Sequence, residues 1–219
     1  MLYSEFKYVI GKYIQMRSLS YEFILAAYKL LKKQVPDVFV ETGTNRGGTI
    51  FQLRNRFKQL YTVELNKNAV KECMSKAKKK GVTNIQFYQG ESQNVLPDII
   101  KTLHETNIEK AIFFLDAHVT NNHTIYTSRG KIDVPLNLEL HVIAEQYQHE
   151  GLIIIDDTRL LGKKSSRETA DADWSKIAQE SILAQVKGRK FMWRYMPGAT
   201  GQANDRIVIL LEPKKPEEK

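Results

Sequence analysis

The sequence has very little cysteine and no long hydrophobic run. Among its 219 residues the only cysteine is Cys73, so no disulfide can form within the chain, which agrees with a reducing compartment. The longest apolar runs, such as 207–211, are about five residues, whereas a membrane-spanning helix needs about 20. Charged residues interrupt the apolar positions of the first 30 residues, unlike the apolar core of a signal peptide. We therefore predict a cytoplasmic protein without a membrane span.

Acidic residues are fewer than basic ones, 25 against 33, which gives a net charge of +8. A positive surface favours an acidic partner, either a nucleic acid or an anionic small molecule. Part of the excess lies in 76–80 near the end of a predicted helix, where cations offset the helix dipole. Charge alone therefore does not choose between these partners.

Seven apolar, β-rich segments alternate with helical patterns. We predict strands at about 37–41, 60–64, 85–88, 111–115, 152–156, 190–195 and 206–211, and helices at about 48–58, 67–80, 93–105 and 135–149. This alternation predicts an α/β fold with a doubly wound, Rossmann-like sheet of seven strands. A turn-rich link joins the last two strands, so we expect a C-terminal antiparallel hairpin on a mostly parallel sheet.

The length and an apolar content of 42% fit one main domain, which we place at residues 36–212. Before it, residues 1–35 form a basic, aromatic segment with a helix-like apolar face from Tyr21 to Leu31. This segment would serve either as a helical cap over a ligand cleft or as a surface for homo-oligomerisation. The charged tail, 213–219, is expected to be frayed.

A glycine-rich turn, residues 41–49, follows the first predicted strand. Glycine allows a tight turn and a close approach of backbone to ligand, and ligands of open α/β sheets bind where the strand order reverses. Glu41 would repel a pyrophosphate but attract the ammonium and sulfonium groups of S-adenosylmethionine. We therefore expect this methyl donor rather than NAD, with these candidate contacts: Glu41, Gly43, Thr44, Gly47, Gly48 and Thr49.

Polar residues also end the second and third strands. Glu64 lies 23 positions after Glu41, near the spacing at which an acid binds a ribose diol, and Leu65 follows it. After the third strand, Gly90, Glu91 and Ser92 could contact an adenine edge. A helix N-cap formed by Ser92 explains that last segment equally well.

The series Glu41-x-Gly43-x-x-x-Gly47-Gly48, Glu64, Gly90-Glu91-Ser92 and Asp116 resembles the pattern of class I S-adenosylmethionine-dependent methyltransferases over about residues 37–211. The acidic strand ends Asp116 and Asp156-Asp157 further resemble the metal-dependent O-methyltransferases of the macrocin O-methyltransferase type, which modify sugars in antibiotics. The resemblance implies that these aspartates bind Mg²⁺ or another divalent cation, that Asp116 also borders the cofactor, and that a nearby base takes a hydroxyl proton.

The same aspartates pose an electrostatic problem independently of any resemblance. Asp116 and Asp156 end strands that we expect to be neighbours, about 4.8 Å apart, so their carboxylates should lie within a few ångströms. A hard divalent cation would relieve the repulsion. Asp157 can join only if the chain leaves strand geometry there, and otherwise Asp156 and Asp157 would cap the following loop.

Two histidines are candidate bases. His118 lies two positions after Asp116 and so faces the same side in an extended chain, where it could accept a hydroxyl proton or bind the metal. A loop histidine bonded to backbone is the other interpretation. His123 is the reserve, and we take His118 and Asp116 as the candidate catalytic residues.

The sequence thus predicts methyl transfer from S-adenosylmethionine to a hydroxyl of a small molecule, a sugar or natural product, assisted by a divalent metal. Loops at 119–133, 158–172 and 197–205 would contact the acceptor. They and their edges carry residues that favour an anionic acceptor: Tyr126, Arg129, Arg159, Lys163, Lys164 and Arg206. The rival interpretations are an RNA methyltransferase and a NAD-binding Rossmann oxidoreductase.

Overall fold

The computed structural model describes residues 19–119, 128–164, 172–199 and 201–214. Its centre is one sheet of seven strands: β1 Val38–Thr42, β2 Gln59–Glu64, β3 Ile85–Gln89, β4 Lys110–Leu115, β5 Glu150–Ile155, β6 Phe191–Met196 and β7 Arg206–Leu211. The order is β3-β2-β1-β4-β5-β7-β6. Strands β1 to β5 pair in parallel, and β7 is antiparallel to both β5 and β6. The predicted doubly wound sheet with an antiparallel C-terminal hairpin is confirmed.

Helices cover both faces of the sheet: α1 Tyr21–Leu31, α2 Gly48–Leu53, α3 Lys67–Lys79, α4 Ser92–Glu105, α5 Leu136–Gln146 and α6 Gln179–Val186. One core joins the sheet to α4, α5 and α6, and a second joins its other face to α1, α2 and α3. Because both faces are covered, β1, β5 and β7 are buried at every residue. This burial explains their nearly continuous apolar sequences.

The sequence prediction missed two elements and lengthened a third. The 3₁₀ helix Thr158–Leu160 lies in the loop that we predicted at 158–172, and α6 lies between that loop and β6, where we predicted no element. Helix α6 has only two buried residues, Ile182 and Val186, so its apolar period is weak. Helix α2 ends at Leu53 rather than near 58, because Lys58 already donates its backbone N–H to Asp37 as the chain enters β2.

The described part of the N-terminal segment is built into the domain. Ser20 caps α1 by accepting a hydrogen bond from the Phe23 N–H, and α1 buries Phe23, Ile24, Ala27 and Tyr28 against the sheet. Residues 19–31 therefore pack into the core, and the cap or oligomerisation role of the segment 1–35 stays a prediction. Residues 1–18 and most of the tail, 215–219, lie outside the described residues. None of the helices described here has the length and apolarity to cross a membrane.

Candidate functional site

The strand order reverses between β1 and β4, and the glycine-rich turn lies at this point. Gly43 has φ +84° and donates its N–H to Val63 of β2 at 2.9 Å. A Cβ on Gly43 would come within 2.5 Å of the Asp116 carbonyl oxygen. The turn is therefore packed against the end of β4, which requires glycine there and brings the predicted donor and acceptor residues together.

A cleft opens beside this turn. Eight of the predicted site residues line it: Gly43, Glu64, Leu65, Glu91, Ser92, Asp116, His118 and Asp157. Asn45 and Gln93 also line the cleft but were not singled out from the sequence, whereas Ser128, Gly130, Ile132 and Asp133 lie in the loop 119–133 that we predicted to contact the acceptor. Asn45 and Gln93 directly neighbour predicted residues, so a wider window around each strand end would have found them.

Glu64 is held in place by backbone donors at the end of β2. One carboxylate oxygen accepts the Asn45 N–H at 2.7 Å, and the other accepts the Asn66 N–H at 2.8 Å. Asn45 has φ +48°, which turns its N–H towards the acid. The carboxylate is thus fixed at the cleft wall, with lone pairs free for two neighbouring hydroxyls.

Glu91 fastens a loop over the far end of the cleft. Its Oε1 accepts the Lys131 N–H at 2.8 Å, and its Oε2 accepts from the Asn94 side-chain amide at 3.0 Å. A Cβ on Gly130 would lie 3.1 Å from Glu91 Oε1. Glu91, not Ser92, occupies the N-cap position of α4, so the N-cap interpretation of Ser92 is wrong.

The other predicted donor residues lie outside the cleft lining: Glu41, Thr44, Gly47, Gly48, Thr49 and Gly90. Glu41 is 2% exposed and accepts a hydrogen bond from Thr62 Oγ1 at 2.8 Å. Burial raises the pKa of Glu41 to about 8. A neutral acid beneath the turn does not repel phosphate, so the electrostatic preference that we derived from Glu41 does not hold.

Gly47 has a packing role instead. It has φ +75° and stands at the N-cap of α2, where a Cβ would lie 2.5 Å from the Phe51 ring and 3.2 Å from Cys73 Sγ. Cys73 itself is buried, and burial raises the pKa of its thiol to about 11. Cys73 is therefore a small core residue rather than a reactive thiol.

Two carboxylates and an imidazole meet at the reacting end of the cleft. His118 Nδ1 lies 3.6 Å from Asp116 Oδ1, and its Nε2 lies 3.2 Å from Asp157 Oδ2. The ligand atoms of these three residues all lie within 4.8 Å of one another. Asp157 has φ +58°, so the chain leaves strand geometry there, as its participation requires.

The pKa values of this cluster follow from burial and neighbouring charge. Burial, then the charge of Asp156, raises the pKa of Asp116 well above its ordinary value. Burial opposes the charged form of His118, but the carboxylates of Asp157 and Asp116 outweigh it and raise the pKa of the imidazole. Burial likewise opposes ionisation of Asp157, but His118 and Arg159 lower its pKa to about 2.

Trp174 completes the surroundings of His118 and was missed entirely. Its indole meets the imidazole edge to face, with ring centroids 5.1 Å apart, and both side chains are buried. Trp174 lies 56 positions after His118 in a turn that follows the unpredicted 3₁₀ helix. No local sequence pattern connects the two residues.

Asp156 is paired with an arginine, because β7 lies next to β5 and places Arg206 beside the acid that ends β5. Arg206 binds Asp156 with two hydrogen bonds, Nε to Oδ1 at 3.0 Å and Nη2 to Oδ2 at 2.9 Å. The ligand atoms of Asp116, His118 and Asp157 converge, and so do those of Asp156, Asp157 and Asp205. The predicted metal set of Asp116, Asp156 and Asp157 stays a prediction, and only the first of these groups contains Asp116 and His118.

The cluster suits a divalent cation. Among its described residues, Asp116, Asp156, Asp157 and Asp205 face only two arginines, Arg159 and Arg206, so two negative charges stay uncompensated when all four acids are ionised and His118 is neutral. Two unit charges within 4.8 Å repel by roughly 3.5 kcal/mol at an effective dielectric constant near 20. Asp116 and Asp157 would supply oxygen ligands of the kind that Mg²⁺ and Mn²⁺ take.

The basic residues expected to contact an acceptor are only partly at the surface. Arg206 is 2% exposed and paired with Asp156, Arg159 pairs with Asp157 and Asp205, and Arg129 pairs with Asp133 at 3.1 Å. Lys163 and Lys164 are exposed. Tyr126 and the reserve base His123 lie outside the described residues.

Comparisons with known proteins agree with this geometry. A family described as "Putative methyltransferase" matches residues 36–126, which span β1 to β4 and the wall of the cleft. No curated protein matches the chain.

Solved structures with the same fold include three methyltransferases. The O-methyltransferase TomG of Streptomyces achromogenes, solved with SAM, is 15% identical, with coverage of 94% of this chain and 90% of its own and a TM-score of 0.57. A methyltransferase of Clostridium acetobutylicum is 12% identical, and the match covers 98% of this chain and 100% of that one, with a TM-score of 0.55. The O-methyltransferase of Bacillus cereus, solved with SAH, is 12% identical, and the match covers 95% of this chain and 90% of that one, with a TM-score of 0.54.

The family match over residues 36–126, the sheet order and the cleft at the switch point agree with the predicted class I S-adenosylmethionine-dependent methyltransferase. They favour this class over the NAD-dependent oxidoreductase that the sequence left open.

Proposed function

We propose that the protein transfers the methyl group of S-adenosylmethionine to a hydroxyl of a small molecule, with a divalent cation held by Asp116 and Asp157. The observation that carries the proposal is the convergence of Asp116, His118 and Asp157 at the floor of a cleft whose other wall is Glu64 and Gly43. A donor half and an acceptor half thus share one cavity.

The donor would lie along the carboxyl ends of β1, β2 and β3. Glu64 is placed to accept hydrogen bonds from the two ribose hydroxyls, since its oxygens are already oriented by Asn45 and Asn66. Glu91 and Ser92, which line the cleft, would border the adenine, and Asp116 would border the methionine part. Gly43 lets the backbone come close without a Cβ in the way.

In the transfer itself, the acceptor oxygen attacks the methyl carbon in line with the breaking sulfur–carbon bond, which leaves S-adenosylhomocysteine. His118 would take the hydroxyl proton, while Asp157 orients the imidazole through Nε2. A bound divalent cation would offset the two carboxylates and lower the pKa of a hydroxyl placed on it. The chain itself contributes mainly positioning and charge compensation.

The proposal is tested by calorimetric titration with S-adenosylhomocysteine, followed by methyl-transfer screening of hydroxylated small molecules and RNA with and without EDTA. We expect binding of the homocysteine product, transfer to a small molecule, and loss of transfer in EDTA. Transfer that persists in EDTA would remove the cation from the mechanism. Transfer to RNA alone, falling steeply with salt, would overturn the small-molecule acceptor.

The donor wall has its own test in Glu64→Gln. Loss of a charged acceptor for two hydroxyls should weaken S-adenosylhomocysteine binding by about 10- to 100-fold, since hydrogen bonds to charged groups contribute about 1.5–3 kcal/mol. Glu72→Gln, an exposed acid on α3, is the matched control and should bind like the wild type. Equal affinities for the two variants would remove Glu64 from the donor site.

A further inference from the structure

Asp157 makes two different contacts through its two carboxylate oxygens. Oδ2 faces His118 Nε2 at 3.2 Å, whereas Oδ1 contacts Nη1 of Arg159. Its backbone lies in the left-handed region at φ +58°, which costs about 1–3 kcal/mol for a residue with a side chain. A conformation of this cost persists only where neighbouring contacts hold it, and Arg159 supplies one of them.

Arg159 is in turn held by Asp205, which is 2% exposed. The same Nη1 lies 3.0 Å from Asp205 Oδ1 and 2.8 Å from Oδ2, and the Arg159 N–H donates to Oδ1 at 3.2 Å. Side chain and backbone of Arg159 are thus both tied to one buried carboxylate. The guanidinium therefore has little freedom to leave Asp157.

The link between β6 and β7 also holds the chain next to Asp157 in place. Thr158 donates its N–H to the Asp205 carbonyl at 3.1 Å and its hydroxyl to the Asn204 carbonyl at 2.7 Å. A Cβ on Gly198 would lie 2.7 Å from Asp205 Cβ, so the hairpin closes tightly around this acid. The turn 157–159 is therefore fixed to the link between β6 and β7.

We propose that Arg159, braced by Asp205, is a positioning residue for Asp157. It binds Oδ1, so that Oδ2 stays turned towards His118 and Asp116, and it thereby sets the affinity of the cluster for a divalent cation. This proposal rests on the proposed function, because the effect of Arg159 is expected on cation binding at that site. Neither Arg159 nor Asp205 belongs to the described lining of the cleft, so both act on the reacting atoms only through Asp157.

The experiment compares full-length Arg159→Met and Asp205→Asn with the wild type by Mn²⁺ calorimetry. We expect Arg159→Met to weaken Mn²⁺ binding about 10- to 100-fold, the usual loss when a residue that orients a metal ligand is removed. Asp205→Asn keeps the arginine but loosens it, so a smaller loss is expected. S-adenosylhomocysteine affinity should stay within about twofold in both, since the donor wall is separate.

Arg194→Met, which removes an exposed arginine on β6, is the matched control for charge and should bind Mn²⁺ like the wild type. Wild-type Mn²⁺ affinity in a folded Arg159→Met variant would overturn the proposal. If that variant does not fold, the same result with Asp205→Asn overturns it.

Crystal structures of the variants separate this inference from the proposed function. If the wild-type protein binds no divalent cation, the proposed cation is refuted, and the conformation of Asp157 in the variants still tests the positioning role. If Asp157 keeps φ near +58° and its contact with His118 without Arg159, the positioning role is refuted. If the carboxylate turns away from His118, the positioning role stands.

Discussion

At the scale of the residue, buried acids in this protein differ in how their charge is compensated. Asp156 has a bidentate arginine and Asp205 has Arg159, whereas the donors to Glu41 within the described residues are hydroxyls. A hydroxyl donor stabilises a carboxylate less than a cation does, so burial dominates and the pKa of Glu41 rises from 4.5 to about 8. Glu41 is therefore protonated in the folded protein near neutral pH.

This state predicts the pH dependence of stability. Between about pH 5 and pH 8 the folded state keeps a proton on Glu41 that the unfolded state releases, so stability falls as pH rises, by roughly 1.4 kcal/mol per pH unit at most. Glu41→Gln removes this slope. Denaturant unfolding at several pH values should show that the free energy of unfolding of the variant rises relative to that of the wild type as pH increases.

Asp98→Asn, a change at an exposed helix position, is the control and should follow the wild type at each pH. Parallel curves for wild type and Glu41→Gln would show that Glu41 is ionised in the folded protein.

At the scale of the element, the turn from β1 into α2 joins the two halves of the site. A Cβ on Gly43 would meet backbone atoms of Asp116 and Ala117, directly after β4, rather than flexible side chains that could move aside. Gly81, after α3, has a similar φ of +63°, but a Cβ placed on it would have no described atom within 4 Å. A comparison of Gly43 with Gly81 therefore separates the cost of a left-handed backbone from the cost of a steric clash.

Gly43→Ala should therefore cost more stability than Gly81→Ala. Gly81→Ala bears only the cost of the left-handed backbone, about 1–2 kcal/mol. Gly43→Ala bears that cost and also the cost of displacing the chain at the end of β4. S-adenosylhomocysteine binding should weaken only in Gly43→Ala. Chemical unfolding and calorimetry check both points, and equal losses in the two variants would contradict the close packing of the turn against β4.

At the scale of the whole molecule, the C-terminal hairpin supplies the counter-charge for Asp156, the acid that follows β5. Arg206 is buried, binds Asp156 through two bonds and lies over the Phe23 ring, with its guanidinium carbon 4.7 Å from the ring centroid. The hairpin thus connects β5, the acidic cluster and helix α1. Its removal would leave Asp156 beside Asp116 without this arginine.

Arg206→Met is expected to destabilise the protein by about 3–5 kcal/mol, the usual cost of leaving one partner of a buried ion pair unpaired. Adding Asp156→Asn should restore part of the loss, because the uncompensated charge is then removed. A double-mutant cycle by denaturant unfolding measures the coupling. Strict additivity of the two changes would show that the pair contributes nothing to the fold.

The sequence predicted the elements that have a strong period and the acids that end strands. Strand positions, the parallel order and the meeting of Asp116 with the glycine turn all follow from apolar runs and strand ends. The partners of those acids did not follow, because Arg206, Asp205 and Trp174 reach the site from more than 45 positions away through the placement of β7 and the 172–177 turn. Long-range pairing of this kind leaves no local pattern.

Strand β7 comes last in chain order within the sheet, yet it inserts between β5 and the edge strand β6. Until it docks, β5 has an open edge and Asp156 lacks the counter-charge of Arg206. A nascent chain that carries β1 to β6 would hold most of the apolar core but an unbalanced acidic centre. Synthesis of β7 and completion of the methyl-transfer site are therefore expected to coincide, so that chains that stop before β7 contain no competent enzyme.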